Sequence, residues 1–134
     1  MERSEIENLI DAAIEATHNS YSPYSNYSVG AALLTIDGKL FTGCNIENAT
    51  YGATNCAERT AIFKAISEGE KQFKAIAVNG IDSQGEADYA FPCGICRQVL
   101  AEFCEPDFIV ICAKNKDDFK RYTIGELLPE AFSL

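Results

Sequence analysis

Three cysteines and one glutamate of this chain have the types and spacing needed to build a zinc centre that does chemistry. Cys56 precedes Glu58 by two positions, and Cys93 and Cys96 form a Cys-x-x-Cys motif. Three thiolates can bind zinc and leave its fourth position to a water molecule, whereas a fourth cysteine would close the site and make it structural. A carboxylate beside that water can carry protons to and from it. The pattern therefore predicts an open, hydrolytic zinc site.

Other interpretations of these residues stay open at the level of the sequence. A Cys-x-x-Cys motif can be a redox pair, although no thioredoxin-like strand–helix–strand unit precedes this one. Cys44 or Cys104 could supply a fourth sulfur to a structural zinc. Cys44, Cys104 and Cys112 lie in apolar segments, so the simplest interpretation is that they are small buried hydrophobic side chains. Glu58 by itself could be a favourable charge in the first turn of a helix.

The surroundings of the three cysteines should favour thiolates. Cys56 and Cys93 each stand at the predicted start of a helix, where unpaired N–H groups and partial positive charge stabilise a thiolate. Zinc with three thiolates has a net charge of about −1, which weakens it as a Lewis acid. Arg59 and Arg97 are next to the ligand-bearing segments, and we expect them to offset this charge by hydrogen bonding to the thiolates. His18 is the only histidine, which excludes a two-histidine zinc site.

Length, composition and charge limit the classes of function. The 134 residues suit one compact domain, 1–134, and 47% of them are apolar. The net charge of −9 disfavours nucleic acid as a partner. No apolar stretch approaches the ~20 residues that cross a membrane, so no membrane partner is expected. The acidic, polar start of the chain is unlike a secretory signal, which predicts a cytoplasmic protein whose six cysteines serve metal or redox chemistry.

The elements that must position these residues follow from hydrophobic periodicity. A helix is predicted at 4–19, with Ser4 and Glu7 as its capping box, and others at 56–67 and after Pro92. The predicted strands are 29–36, 39–44, 73–78, 108–113 and 119–124. This order predicts an α/β fold with three layers, α/β/α, around a mixed, mostly five-stranded sheet.

The two cysteine motifs resemble those of the zinc nucleoside deaminases, in which Cys-x-Glu or His-x-Glu is followed by Pro-Cys-x-x-Cys. The likeness is greatest to the small homotetrameric cytidine deaminases, whose metal ligands are all cysteines. It extends over nearly the whole chain, through segments similar to the family at 22–33, 43–49, 56–61, 92–99 and 126–132. The resemblance implies a cytidine deaminase-like fold and a homotetramer.

The activity that the resemblance implies is zinc-dependent hydrolytic deamination of cytidine and deoxycytidine. The products would be uridine or deoxyuridine and ammonia, as in pyrimidine salvage. Cys56, Cys93 and Cys96 would bind Zn²⁺ as the cofactor. Zinc-bound hydroxide would attack C4 of cytosine while Glu58 shuttles protons.

The resemblance also implies roles for substrate-binding residues. Asn45 and Glu47 would hydrogen-bond the ribose, chiefly its 3′-hydroxyl, although both could simply form a polar strand end. Tyr27 stands where the family usually has a phenylalanine that packs against the base. Ala57 would offer backbone groups to the base edge. These positions narrow the expected substrate to a free nucleoside.

Two aromatic residues are expected to act between subunits. By the same resemblance, Tyr51 and Phe132 would complete the pocket of a neighbouring subunit, although packing at the subunit interface is the alternative. Three other functions remain as alternatives for the chain as a whole. They are deamination of another cytosine compound such as a nucleoside antibiotic, deamination of RNA or DNA, and non-catalytic binding by a zinc-stabilised module.

Overall fold

The computed structural model describes residues 1–134 and places one mixed sheet between two layers of helices. The helices are α1 (Arg3–Ala16), α2 (Ala57–Ser67), α3 (Gly94–Phe103) and the short α4 (Ile124–Leu127). The strands are β1 (Ser28–Thr35), β2 (Leu40–Cys44), β3 (Phe73–Ile81), β4 (Ala87–Asp88), β5 (Ile109–Asn115) and β6 (Asp118–Thr123). None of the helices has both the length and the apolar character to cross a bilayer.

The direction of the strands brings the starts of two helices to one edge of the sheet. The strand order is β2-β1-β3-β5-β6, and β4 pairs with β3 outside this path. β1 is antiparallel to both β2 and β3, so β2 and β3 run in the same direction. α2 follows β2 and α3 follows β3, and each therefore begins at the edge where these strands end. The parallel pairing of β3 with β5 is the crossover that contains α3.

The two faces of the sheet carry separate cores, as the alternation along β3 shows. Ile76 and Val78 pack on the face covered by α2 and α3. Ala75 and Ala77 pack on the opposite face, against the apolar side of α1. The predicted α/β fold with three layers is therefore confirmed, and the five predicted strands all form.

The predicted capping box of α1 is wrong, and the elements α4 and β4 were not predicted. α1 begins at Arg3, so Ser4 lies inside the first turn and cannot cap it. The capping box of the chain lies instead at Thr123 and Glu126, where it starts α4. The pattern Thr-x-x-Glu could have identified α4, whereas the two-residue β4 is too short to show any periodicity.

α1 lies so close to the sheet that one strand position under it has no room for a side chain. A Cβ on Gly30 of β1 would overlap the carbonyl oxygen of Ala13 and lie 2.8 Å from the amide nitrogen of Thr17. Gly43 of β2 is in the same position under α2, where a Cβ would lie 2.5 Å from backbone atoms of Ala57 and Ala61. Backbone atoms of a packed helix cannot move away as a side-chain end can, so these two glycines set the spacing between layers.

Gly30→Ala should destabilise the protein by about 1–3 kcal/mol, because the added methyl group forces α1 away from β1. Urea unfolding measures the change. Gly52→Ala is the matched control, because no heavy atom lies within 4 Å of its missing Cβ. Equal unfolding midpoints for the two variants would contradict the close approach.

Candidate metal centre and substrate pocket

The three cysteines of the two motifs converge on one point. Cys56 is the N-cap of α2, Cys93 is the N-cap of α3, and Cys96 lies in the first turn of α3. Their sulfur atoms all lie within 4.8 Å of one another, as one metal ion requires. Cys96 is buried and Cys93 is exposed, so the cluster lies between the core and the surface. The predicted three-cysteine metal site is confirmed.

The protonation of the sulfurs fits a metal that prefers thiolates. The pKa of Cys56 is lowered by a hydrogen bond from the Cys96 thiol and by the guanidinium of Arg59. The pKa of Cys96 is raised because its thiol donates to Cys56 and is buried. The cluster therefore holds a thiolate at neutral pH, and its all-sulfur donor set suits zinc.

The remaining cysteines lie outside this cluster. Cys112 is fully buried in β5, and Cys44 is buried at the end of β2. Cys104 is half-buried, and burial raises its pKa to about 12. None of the three shares the site, so the alternative of a closed, four-sulfur zinc is wrong and the interpretation as small hydrophobic side chains holds.

Arg59 and Arg97 donate hydrogen bonds to different kinds of acceptor. The Nη2 of Arg59 donates to the sulfur of Cys56 over 3.2 Å, as predicted. The predicted hydrogen bond from Arg97 to a thiolate is wrong, because its Nε donates to the carbonyl oxygen of Pro92 (2.7 Å) and its Nη1 to that of Leu127 (3.0 Å). Arg97 therefore ties the segment before Cys93 to the end of α4 and supports the ligand through the backbone.

Glu58 is a buried carboxyl group beside the sulfur cluster. It lies in the first turn of α2 and only 4% of its surface is exposed. Burial, with a smaller contribution from the charge of Cys56, raises the pKa of Glu58 to about 7, although a backbone hydrogen bond and Arg59 oppose the shift. A carboxyl that served only as a helix charge would face water. This one is placed and tuned to exchange protons near neutral pH.

A pocket of about 300 Å³ opens onto Glu58 and the cysteines. Tyr27, Asn45 and Ala57, all predicted to contact substrate, lie in its wall. The complete lining is Tyr27, Val29, Asn45, Thr54, Asn55, Cys56, Ala57, Glu58, Tyr89, Ala90, Phe91 and Cys93. This volume and its mainly apolar wall with a few polar groups are typical of a small-molecule site.

Asn45 is fixed by hydrogen bonds on both ends of its amide. Its Oδ1 accepts from the hydroxyl of Ser20 (2.5 Å) and the backbone N–H of Val29 (2.9 Å). Its Nδ2 donates to the carbonyl oxygen of Tyr27 over 2.8 Å. The side chain thus joins the loop before β1 to the end of β2, and one of its two amide hydrogens remains for a ligand.

Glu47 holds the loop that carries Tyr27 and is not part of the pocket lining. Its Oε1 accepts from the backbone N–H groups of Tyr24 (2.9 Å) and Ser25 (3.2 Å), and its Oε2 accepts from the hydroxyl of Ser25 (2.5 Å). The hydroxyl of Ser25 in turn accepts from the N–H of Tyr27. The hydrogen bond from Ser25 lowers the pKa of Glu47, which keeps the carboxylate charged.

Tyr51 and Phe132 lie on the surface, away from the pocket lining of their own chain. Their exposed fractions are 75% and 67%, which are high for aromatic side chains. Tyr51 contacts the ring of Tyr24 edge-on at 5.8 Å between centroids. The backbone carbonyl of Phe132 accepts from the side chain of Gln98.

One wall of the pocket was not predicted from the sequence. Tyr89, Ala90 and Phe91 form it, on the segment between β4 and α3. The ammonium groups of Lys114 and Lys120 lie 4.9 and 4.7 Å from the centre of the Tyr89 ring. The hydroxyl of Tyr89 also donates to Asp118. Two aromatic residues just before Pro92 were the only local sign of this wall, since the lysines that hold it come from distant strands.

Comparisons with known proteins agree with this site. Residues 3–112 match the cytidine and deoxycytidylate deaminase zinc-binding region. The chain is 50% identical to a cytidine deaminase of Sporosarcina psychrophila, over 96% of this chain and 92% of the relative. It is 51% identical to a cytidine deaminase of Halalkalibacterium halodurans, over 93% and 92% of the two chains. The crystal structure of cytidine deaminase from Burkholderia pseudomallei superimposes with a TM-score of 0.84 at 48% identity, covering 93% of this chain and 97% of that one.

Cys93→Ala should lose the metal, because two sulfurs bind zinc far more weakly than three. Elemental analysis of the purified protein is expected to show about one zinc ion per chain in the wild type and much less in the variant. Cys104→Ala removes a cysteine outside the cluster and should keep its zinc. Stoichiometric zinc in Cys93→Ala would show that the ligand set is different.

Glu58→Gln should stabilise the metal-free protein at high pH. The pKa of Glu58 is raised in the folded state to about 7, so between the ordinary value of 4.5 and that value the folded protein keeps a proton that the unfolded chain has lost. The unfolding free energy of the wild type therefore falls as the pH rises through this window, by up to about 3 kcal/mol. Gln cannot ionise and avoids this loss.

Urea unfolding at pH 4.5 and pH 8 tests this for the wild type and for Glu58→Gln, both made metal-free with a chelator. The unfolding free energy of Glu58→Gln should exceed that of the wild type by an amount that grows towards pH 8. A difference between the proteins that is the same at both pH values would show that ionisation of Glu58 is not its cause.

Proposed function

The chain belongs to the zinc-binding cytidine and deoxycytidylate deaminase family, and we propose that it hydrolyses cytidine and deoxycytidine to uridine and deoxyuridine with release of ammonia. The observation that carries the proposal is the buried Glu58 in the wall of a nucleoside-sized pocket, next to three converging cysteine sulfurs. Hydrolysis needs a nucleophilic water and a group that moves protons. The pocket brings the residues for both together.

The chemistry divides between the metal and Glu58. Cys56, Cys93 and Cys96 would hold a zinc ion, which would supply a Lewis acid able to lower the pKa of a water molecule towards about 7. Glu58 accepts a proton from the attacking water and delivers it to N3 of the base, which makes C4 electrophilic. Glu58 then transfers the second proton of the water to the leaving amino group. Water and cytidine become uridine and ammonia, and the carboxylate is regenerated.

Glu58 can serve both as base and as acid because its pKa lies close to neutral pH. A carboxylate with a pKa near its usual value would be too weak a base to take the proton, and too rarely protonated to return it. Burial raises the pKa of Glu58 to about 7, where both forms are populated. Burial of Glu58 thus lowers the stability of the folded protein and at the same time gives the carboxyl group the pKa that the reaction needs.

The pocket wall supports a free nucleoside as substrate. Tyr27 packs against the base, and the backbone of Ala57 meets its polar edge. The uncommitted amide hydrogen of Asn45 is a donor for a ribose hydroxyl. The carboxylate of Glu47 still has acceptor capacity beyond its loop contacts, and would accept from the 3′-hydroxyl of a ribose that extends beyond the pocket lining.

Exposed aromatic side chains support assembly into a homotetramer. Tyr51 and Phe132 would be covered at subunit interfaces and would complete the pocket of a neighbouring subunit. The net charge of −9 disfavours binding of nucleic acid. We propose a single domain over 1–134, acting in the cytoplasm without a membrane partner.

Glu58→Gln should reduce turnover of cytidine by about 10²–10⁴-fold while zinc is retained, because the amide cannot accept or return a proton. The loss of cytosine absorbance and the release of ammonia both measure the rate. Glu102→Gln is the matched control, since Glu102 is exposed on α3, and it should turn over as the wild type does. Near-normal turnover in Glu58→Gln would contradict the mechanism.

Deoxycytidine, a cytosine-bearing nucleoside antibiotic and a short oligonucleotide serve as competing substrates in the same assay. We expect cytidine and deoxycytidine to be preferred over the antibiotic and the oligonucleotide. A faster reaction of the antibiotic or of the oligonucleotide would assign the site to that substrate, and a zinc-loaded protein that releases no ammonia from any of them would be a binding module.

A further inference from the structure

Gly80 of β3 faces the ring of Tyr27, and this ring occupies the space that a side chain at position 80 would need. A Cβ on Gly80 would lie 2.7 Å from Cζ of Tyr27 and closer still to its hydroxyl oxygen. The backbone of Gly80 is not in the left-handed region that favours glycine, unlike that of Gly38, Gly69 and Gly85. Space for the Tyr27 ring, and not backbone conformation, is therefore what favours glycine at this position.

The pairing of the strands explains how the ring reaches Gly80. Val29 of β1 is directly opposite Gly80, and Asp88 of β4 pairs with Gly80 on its other side. Tyr27 lies just before β1 and two residues before Val29, and both line the same pocket, which places Tyr27 diagonal to Gly80. An aromatic ring across a glycine of the neighbouring strand fills the space that the missing side chain leaves. We call this space, bounded by Val29, Gly80 and Asp88, the Gly80 notch.

The backbone of Tyr27 cannot retreat if the notch is filled. Its N–H donates to the hydroxyl of Ser25 over 3.1 Å, and its carbonyl oxygen accepts from Asn45 over 2.8 Å. The side chain is therefore the part that can move. Since Tyr27 also lines the pocket beside Val29, a ring that is pushed out of the notch changes the shape of that pocket.

The hydroxyl of Tyr27 stays neutral in this position. Burial raises the pKa of Tyr27, and the charges of Asp88 and Asp82 raise it further. A neutral phenol can lie against the backbone of β3 without the cost of burying a charge.

We propose that Gly80 positions the base-binding wall of the pocket, because its notch receives the hydroxyl end of Tyr27 and sets how far the ring projects into the nucleoside pocket. Gly80 touches no reacting atom and acts as a positioning residue through Tyr27. The inference rests on the proposed function, in which Tyr27 packs against the base.

A double-mutant cycle of Gly80→Ala and Tyr27→Phe tests the notch. The readouts are KM and kcat for cytidine and the inhibition constant of uridine, which needs the pocket but no chemistry. Gly80→Ala should raise KM and the inhibition constant by about 10-fold, with kcat changed by less than about 3-fold. Tyr27→Phe removes the hydroxyl oxygen, which is the atom nearest to a Cβ at position 80, and leaves Cζ 2.7 Å from that Cβ. Gly80→Ala should therefore have a clearly smaller effect on KM in the phenylalanine background.

The outcomes separate the notch from the proposed function. An unchanged KM in Gly80→Ala, or the same increase in both backgrounds, overturns the notch while wild-type turnover still supports the deaminase. A wild type that neither turns over cytidine nor binds uridine overturns the proposed function itself. If Gly80→Ala does not fold, the proposal requires that the double variant with Tyr27→Phe folds, because that variant lacks the hydroxyl oxygen nearest to the added Cβ. Failure of both to fold would assign Gly80 a purely structural role.

Discussion

The site depends on the meeting of two helix N-termini at one edge of the sheet. Cys56 and Cys93 occupy the N-cap positions of α2 and α3, and the parallel directions of β2 and β3 place both helix starts at the same edge. Helix starts favour negative charge, which three sulfurs around one metal require. The close packing of α2 on Gly43 fixes the distance of this helix from the sheet. Because the sulfurs come from two helices, the metal site exists only when the layers are packed.

Charge at the site is balanced from within the core. Arg59 lies on α2, one turn after Cys56, and donates to its sulfur. Glu58 stands between them and is buried with its pKa raised to about 7. A buried acid beside a thiolate destabilises the folded protein at neutral pH, so its position has a functional and not a structural explanation. The proposed proton carrier and a metal ligand are thus two residues apart at the start of one helix.

The pocket is shaped by groups that hold each other as well as the ligand. Glu47 orders the loop at Tyr24 and Ser25, and Ser25 and Asn45 hold the backbone of Tyr27. The ring of Tyr27 then lies against the Gly80 notch. Substitution of a polar residue in this network therefore changes the pocket shape as well as one contact, and an effect on affinity is not the measure of a single hydrogen bond.

The sequence alone determined the three-cysteine metal site, pointed to Glu58 as its proton carrier, and predicted the five main strands and the first three helices. These follow from local spacing: Cys-x-Glu, Pro-Cys-x-x-Cys and the periods of helix and strand are all visible within a few residues. Only the tertiary structure decided that Arg97 binds carbonyl oxygens and not a thiolate, and that Tyr89 and Phe91 form a pocket wall. It alone showed that Gly80 leaves room for the ring of Tyr27. Each of these depends on a contact between elements distant in the chain, and side-chain direction and available space at such contacts leave no local pattern in the sequence.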